Sequence, residues 1–194
     1  MRYITKVVFI SLTLVSLVAC GNVKESKINN LPLVVPSVSN GFKSQYLNVI
    51  NNARSVSQNC GTYGNFPAAP SLKWSDKLYD ATYEHSNDMA TTNTFSHNGS
   101  GGVSDRVGVS LGKASSGSER ISAYGYKWRR YAENIGAGID IDTAEKIVSQ
   151  LLKSDGHCAN IMNPKLTEVG MAMVKNSNAH YIYYWTQNFG TPLN

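Results

Sequence analysis

An α+β domain, with helices flanking a small and mainly antiparallel sheet, is predicted by three observations. Apolar residues recur at helical spacing in the middle of the chain, and they alternate at period two in two stretches near its end. The 194 residues, 42% of them hydrophobic, suffice for one well-buried core and are too few for two domains of ordinary size.

The first twenty residues are set apart from that core. Arg2 and Lys6 precede an apolar run over 7–18, too short to span a bilayer comfortably and of the form of a secretory h-region. The run ends in Leu17-Val18-Ala19-Cys20, which resembles the bacterial lipobox, whose cysteine is lipidated and becomes the mature N-terminus. Residues 1–20 are therefore expected to be a lipoprotein signal peptide, with Cys20 the anchor to a bacterial envelope membrane. Gly21 rather than Asp after it favours the outer membrane in a diderm cell. Residues 21–42 are polar, carry Pro32 and Pro36 and have no period, as suits a flexible tether; the domain is expected over 43–194.

Within the domain, Leu47, Ile50 and Ala53 predict a helix over 44–57. Cys60 to Pro70 reads as loop. Ser75 and Asp76 then cap a helix whose Leu78, Ala81, His85 and Met89 share one face, so His85 is expected to be a hydrogen-bonded core residue rather than a ligand. Residues 98–118 are rich in Gly and Ser and read as a long loop with one helical turn near Asp105. A short helix ended by Gly125 follows, then a strand over 130–136. Asp142-Thr143-Ala144-Glu145 has capping-box spacing and opens a helix burying Ile147, Val148 and Leu151, which stops near Asp155-Gly156. Strands over 168–174 and 181–189, joined by a hairpin turn over 175–179, close the chain.

Charge and cysteine content narrow the function. Removing Arg2 and Lys6 from the eighteen basic residues leaves sixteen against thirteen acids, a net charge of +3. The cations are scattered, and Lys127-Trp128-Arg129-Arg130 is short enough to be a solvated face, so no nucleic-acid partner is expected. With Cys20 lipidated, Cys60 and Cys158 remain as an even pair in an oxidising compartment and are expected to form a disulfide. Gly108-Val109-Ser110-Leu111-Gly112 matches G-x-S-x-G without the strand and helix that such an elbow needs. No Walker loop, dinucleotide fingerprint or H-E-x-x-H occurs. Candidate chemistry rests on His97, Glu133 and His157, each beside a glycine or at the edge of a regular element; two imidazoles and a carboxylate could hold zinc, or act as acid and base.

Five blocks occur in order: Leu72-Lys73-Trp74-Ser75 through His85-Ser86-Asn87-Asp88-Met89-Ala90 to Phe95-Ser96-His97; Arg120 with Gly125-Tyr126; Ala132-Glu133-Asn134-Ile135; Gly156-His157-Cys158-Ala159-Asn160-Ile161-Met162; and Tyr184-Trp185-Thr186-Gln187-Asn188-Phe189-Gly190. Together they resemble the bacterial branch of the CAP superfamily of cysteine-rich secretory, antigen 5 and pathogenesis-related-one proteins. The resemblance implies a three-layer α-β-α sandwich. It also implies a central cleft where two histidines and two acids bind a divalent metal in some members. His97, Glu133 and His157 match three of these. The second acid falls by spacing at Ser154, with Asp155 the nearest substitute; Ala132 stands where a glycine is usual, and the aromatic expected near Leu151 is missing.

Family members are associated with lipid or sterol binding, toxin or inhibitor action and host interaction, so the fold leaves the function open. The incomplete acid set favours an envelope lipoprotein that binds a small ligand, a lipid among the candidates, or a protein partner without turning it over. A zinc-dependent hydrolase with His97 and His157 as ligands and Glu133 as base is the alternative, and an envelope scaffold with a vestigial cleft a third.

Overall fold

A computed structural model describes residues 34–193. The signal peptide, Cys20 and the tether as far as residue 33 lie outside the described residues. No helix among the described residues is long and apolar enough to cross a membrane.

Helix α1 (Asn40–Arg54) starts earlier than its apolar spacing predicts, because Ser39 caps it by accepting from the Phe42 amide at 3.1 Å. It thus takes in residues 40–42 of the expected tether. Two-residue strands β1 (Gln58–Asn59) and β2 (Asn65–Phe66) enclose a 3-10 turn, Gly61–Tyr63. Strand β3 (Lys73–Trp74) leads into α2 (Asp76–Thr92), which has Ser75 at its N-cap position as expected, although the Ser75 side chain makes no capping hydrogen bond.

Then come α3 (Arg106–Leu111), α4 (Gly117–Ala123) and β4 (Trp128–Gly138). Gly125, at φ +77°, supplies the left-handed turn between α4 and β4. A capping box closes at Ser116 and Glu119 on α4. At α5 (Ala144–Leu152) the cap is instead Thr143, which accepts from Lys146 N, while Asp142 pairs with the Lys146 ammonium at 2.7 Å.

The stretch expected to be a turn at Asp155-Gly156 is a separate helix, α6 (Asp155–Met162). Strands β5 (Glu168–Lys175) and β6 (Tyr183–Pro192) follow. They are joined by residues 176–182 rather than a tight hairpin, and Ile182 has φ +61°.

The main sheet has the order β3-β5-β6-β4, with β5, β6 and β4 antiparallel and β3 parallel to β5. Against one face α1, α5 and α6 bury Tyr46, Ile50, Ile147, Leu151, Ile161, Met171, Trp185 and Phe189. Against the other α2 buries Met89 and Ala90 beside Ile135 and Tyr184, and Leu78 and Ala81 beside Ile121 and Tyr126. These are the three layers of an α-β-α sandwich. Every residue from Tyr184 to Thr191 is buried, because β6 is central and covered on both faces.

Polar groups fasten the helical layers. Arg54, fully buried, donates from Nη1 to the Ile161 and Asn163 carbonyls and from Nε to the Pro70 carbonyl, so it closes the C-terminal end of α6. Cys60 and Cys158 are bonded, tying the 3-10 turn to α6.

The 98–118 segment, with too little periodicity to read, is held by acids. Asp88 of α2 accepts from the Ser100 amide and from the Ser100 and Ser104 hydroxyls. Asp105 accepts from the amides of Gly101, Gly108 and Ser115, and Glu84 accepts from the Val107 amide and the Tyr124 hydroxyl. Each acid satisfies backbone donors that the irregular loop would otherwise leave unpaired.

His85 is a core residue, fully buried, with Nε2 2.9 Å from the Ser96 carbonyl. Burial, reinforced by the nearby Arg120 charge, lowers its pKa from 6.5 to about 4. The unfolded chain therefore takes up this proton first, so the contribution of a neutral His85 is complete above pH 6.5 and is lost as pH falls toward 4. A shift of that size corresponds to about 3 kcal/mol. Urea titrations of His85→Gln are expected to show that much less loss of stability than wild type between those two pH values. Glu84, whose pKa burial raises, works in the opposite sense in both proteins and cancels from the comparison. Identical pH profiles would contradict the assignment.

Candidate functional site

Strand β4 is one of the two outer strands of the sheet, and its side chains alternate between the two helical layers. Glu133 and Ile135 face the α2 layer; Asn134 faces α6, where it donates to the His157 carbonyl at 3.2 Å and to Gln187 Oε1 at 2.7 Å. Asn160 of α6 donates to Asn134 Oδ1 at 2.8 Å and to the Glu133 carbonyl at 3.4 Å. His97 follows α2 in sequence and His157 lies on α6. The two imidazoles therefore come from opposite layers and flank the outer edge of β4.

Glu133 is the hinge of this arrangement. Its carboxylate is 4% exposed, and both oxygens are engaged: His97 Nδ1 lies 3.0 Å from Oε1, and Arg120 Nη2 donates to Oε2 at 2.9 Å. Burial pushes this carboxyl up, but the His97 hydrogen bond and the Arg120 charge outweigh it and hold the group below the ordinary carboxylate range. Arg120 is fully buried on α4 and also donates to the Ser115 carbonyl at 3.0 Å and the His97 carbonyl at 2.9 Å. The Tyr131 hydroxyl stands beside Glu133 Oε2 at the start of α4, and only the missing side chain of Gly117 leaves room for it.

His97 thus presents a ring fixed by a carboxylate through Nδ1, on a side chain that is 55% exposed. His157 is half-buried and its ring makes no hydrogen bond to a described residue. Burial, and then the neighbouring His97 charge, hold its pKa below the ordinary imidazole value, so the neutral form is favoured.

The metal set implied by the resemblance does not assemble. Both oxygens of Glu133 are committed to His97 and Arg120. Ser154 is the N-cap of α6 and contributes no acid; Asp155 turns to the 3-10 turn, accepting from the Thr62 amide and hydroxyl at 2.8 Å. Among the described residues, no three His, Cys, Asp or Glu side chains are placed to hold a metal ion. The G-x-S-x-G match carries no nucleophile, since Ser110 lies inside α3 and its hydroxyl donates to the Val107 carbonyl at 2.8 Å.

Arg120, Tyr131, Asn134 and Asn160 belong to the site, yet reading the sequence assigns a role to none of them. One signal was available for Arg120: a carboxylate buried in the middle of a strand requires a cation.

With this geometry in place, comparison with known proteins gives three findings. An uncharacterized protein of Bacillus subtilis, YkwD, is 31% identical over 71 residues, covering 37% of this chain and 25% of that protein. An extracellular protein of Bacillus anthracis containing an SCP domain superposes with TM-score 0.55 at 24% identity, over 78% of this chain and 40% of that one. An outer surface protein of Borrelia burgdorferi superposes with TM-score 0.52 at 18% identity, over 64% of this chain and 80% of that one. The first two relatives are thus much longer than the part this chain covers, and the structural likenesses speak to the fold. The model of the CAP family, described as the cysteine-rich secretory protein family, matches residues 47–189, most of the chain, and the chain belongs to that family.

Proposed function

We propose that this is an exported CAP-domain protein, anchored in the bacterial envelope through Cys20, which binds a ligand at the edge of β4 between His97 and His157 without turning it over. One observation carries the non-catalytic part of this reading. Glu133, the acid bonded to His97, spends both oxygens on orienting that ring and neutralising Arg120. Its side chain is only 4% exposed, so neither oxygen is open to a bound water that it would have to deprotonate. The other imidazole nitrogen, Nε2 of His97, has no serine or cysteine partner among the described residues that would make a nucleophile of the pair. Two rings from opposite layers, one fixed and exposed, one neutral and half-buried, suit instead the recognition of a polar group laid across the strand edge.

The export reading is supported by the sequence of the first twenty residues and by the Cys60–Cys158 disulfide, which belongs to an oxidising compartment. The extracellular and outer-surface descriptions of two structural relatives agree with it.

The test is a broad panel of ester, peptide and phosphate substrates, with and without zinc, on wild type and Glu133→Gln. No turnover above background is expected from either protein. Metal-dependent hydrolysis abolished by that substitution would replace this reading with the hydrolase.

A further inference from the structure

We propose that the end of the sandwich where β4 begins is a docking face for an anionic lipid bilayer, the one to which the N-terminus is tethered; this deepens the anchored reading above and rests on it. The strand pairing brings four strand ends into one row. Lys73 of β3 lies opposite Glu168 at the start of β5, while Trp128 and Arg130 at the start of β4 lie opposite Pro192 and Thr191 at the end of β6. Lys165, just before β5, joins the row through its carbonyl, which accepts from the Thr191 hydroxyl.

Around this row stand exposed cations: Lys73 on β3, Lys77 in the first turn of α2, Lys127 and Arg129 at the entry to β4, and Lys165. Lys77 and Lys127 line a single depression of about 450 Å³. None of these cations is ion-paired to a described residue. The nearby pair, Lys43 with Asp76 at 2.6 Å, uses neither side of the depression, and Glu168 is the one acid that lines it.

Two further observations point to a bilayer rather than to open solvent. The described chain enters the domain close by: the Tyr79 hydroxyl of α2 donates to the Pro36 carbonyl at 3.0 Å, and residues 35–38 lie beside Asp76 and Asp80, in the turns of α2 that carry Lys77. From Cys20 to Val34 the chain can span at most roughly 50 Å, so an anchor at Cys20 would tether the domain to the membrane through this end. Large apolar side chains also flank the cations, Leu193 at the depression and Val34 at the chain entry, 56% and 81% exposed. Cations with exposed apolar side chains near them are a composition that settles into a headgroup layer.

A patch of this size binds weakly by itself, because its field decays within a Debye length of about 8 Å. Tethering supplies the local concentration that makes it effective, and the patch in turn fixes which face of the domain looks outward. The β4 edge with His97 and His157 would then stand at a set orientation to the membrane instead of tumbling on its tether.

The probe is co-sedimentation of the chain from Gly21 onward, which keeps every described residue, with vesicles of phosphatidylcholine and of phosphatidylcholine mixed with phosphatidylglycerol. Binding is expected only to the mixed vesicles, and it is expected to weaken with salt. At about fivefold per cation near the surface, Lys73→Ser/Lys77→Ser/Lys127→Ser should weaken it by about a hundredfold. The equal-charge control Lys146→Ser/Lys153→Ser/Lys175→Ser, in which Lys175 ends β5 at the far end of the sheet, should change it little. Equal binding to both vesicle types, equal loss in the two triple variants, or full displacement by soluble polyphosphate would each overturn the docking face, the last by assigning the cations to an anionic polymer. The anchor is read separately from cell fractionation. Membranes washed in high salt should retain the intact chain and release Cys20→Ala. An intact chain recovered in the wash overturns the anchor, and the proposal with it, whereas retention without vesicle binding removes the docking face alone.

Discussion

Replacing both Cys60 and Cys158 by alanine is expected to lower the stability of the domain by about 4–5 kcal/mol. The two residues are 98 apart in sequence with Cα atoms 5.3 Å apart, so the bond keeps the ends of a long segment together in the unfolded chain and removes its loop-closure entropy. Both cysteines are buried, at 1% exposure, within the core shared by α1, α5 and α6. The loss therefore includes some packing as well as chain entropy. Chemical denaturation of the double variant, beside wild type under reducing and oxidising conditions, gives the measure. Wild type under reduction should approach the double variant, and a difference below about 1 kcal/mol between oxidised wild type and the double variant would show that the crosslink is incidental to folding.

Arg120→Met is the second large expected effect, at about 3–5 kcal/mol, because it leaves the Glu133 carboxylate buried without its cation. The pH dependence separates this cause from a simple packing defect. In wild type Glu133 is held below its ordinary value of 4.5, so it contributes stability that is present above that pH and lost as pH falls through the depressed value. Without Arg120 only the His97 side of the site still opposes burial, and the carboxyl is expected to rise above its ordinary value, so stability should fall as pH increases through the new value. The slope contributed by this group changes sign. Adding Glu133→Gln to Arg120→Met should recover part of the loss and remove the inverted slope. A double variant no more stable than Arg120→Met would mean that the guanidinium matters for Ser115 and the His97 carbonyl rather than for the carboxylate.

The fold was legible wherever one element carried its own signals. Ser75, Asp76 and the stripe from Leu78 to Met89 place α2 within a residue at its start, and alternating apolar residues locate β5 and β6. Helix α6 was hidden because Asp155-Gly156-His157 has the composition of a turn. What makes it helical is non-local: the bond at Cys158, burial of Ile161 and Met162, and the Arg54 guanidinium on its last carbonyls. Strand β3 is two residues long, and only its pairing with β5 defines it.

At the site, sequence and resemblance picked out His97, Glu133 and His157, and the structure joins the first two directly. They could not show that Glu133 is shared with Arg120, since that contact depends on α4 folding over β4. Nor could they show that Asp155 is spent on Thr62.

The acids that hold residues 98–118 have a consequence for how this region can diverge. Asp88, Asp105 and Glu84 accept from five main-chain amides, those of Ser100, Gly101, Val107, Gly108 and Ser115, and from the hydroxyls of Ser100, Ser104, Ser115 and Tyr124. A main-chain amide is the same whatever side chain it bears. The segment can therefore drift at exposed positions such as Val103, Val109 and Leu111 while its path is conserved, provided the three carboxylates and the serine hydroxyls bound to them stay. Lineages should rewrite the loop's outward surface freely and keep the acids beneath it, leaving the rim beside His97 as the variable face of an otherwise fixed domain.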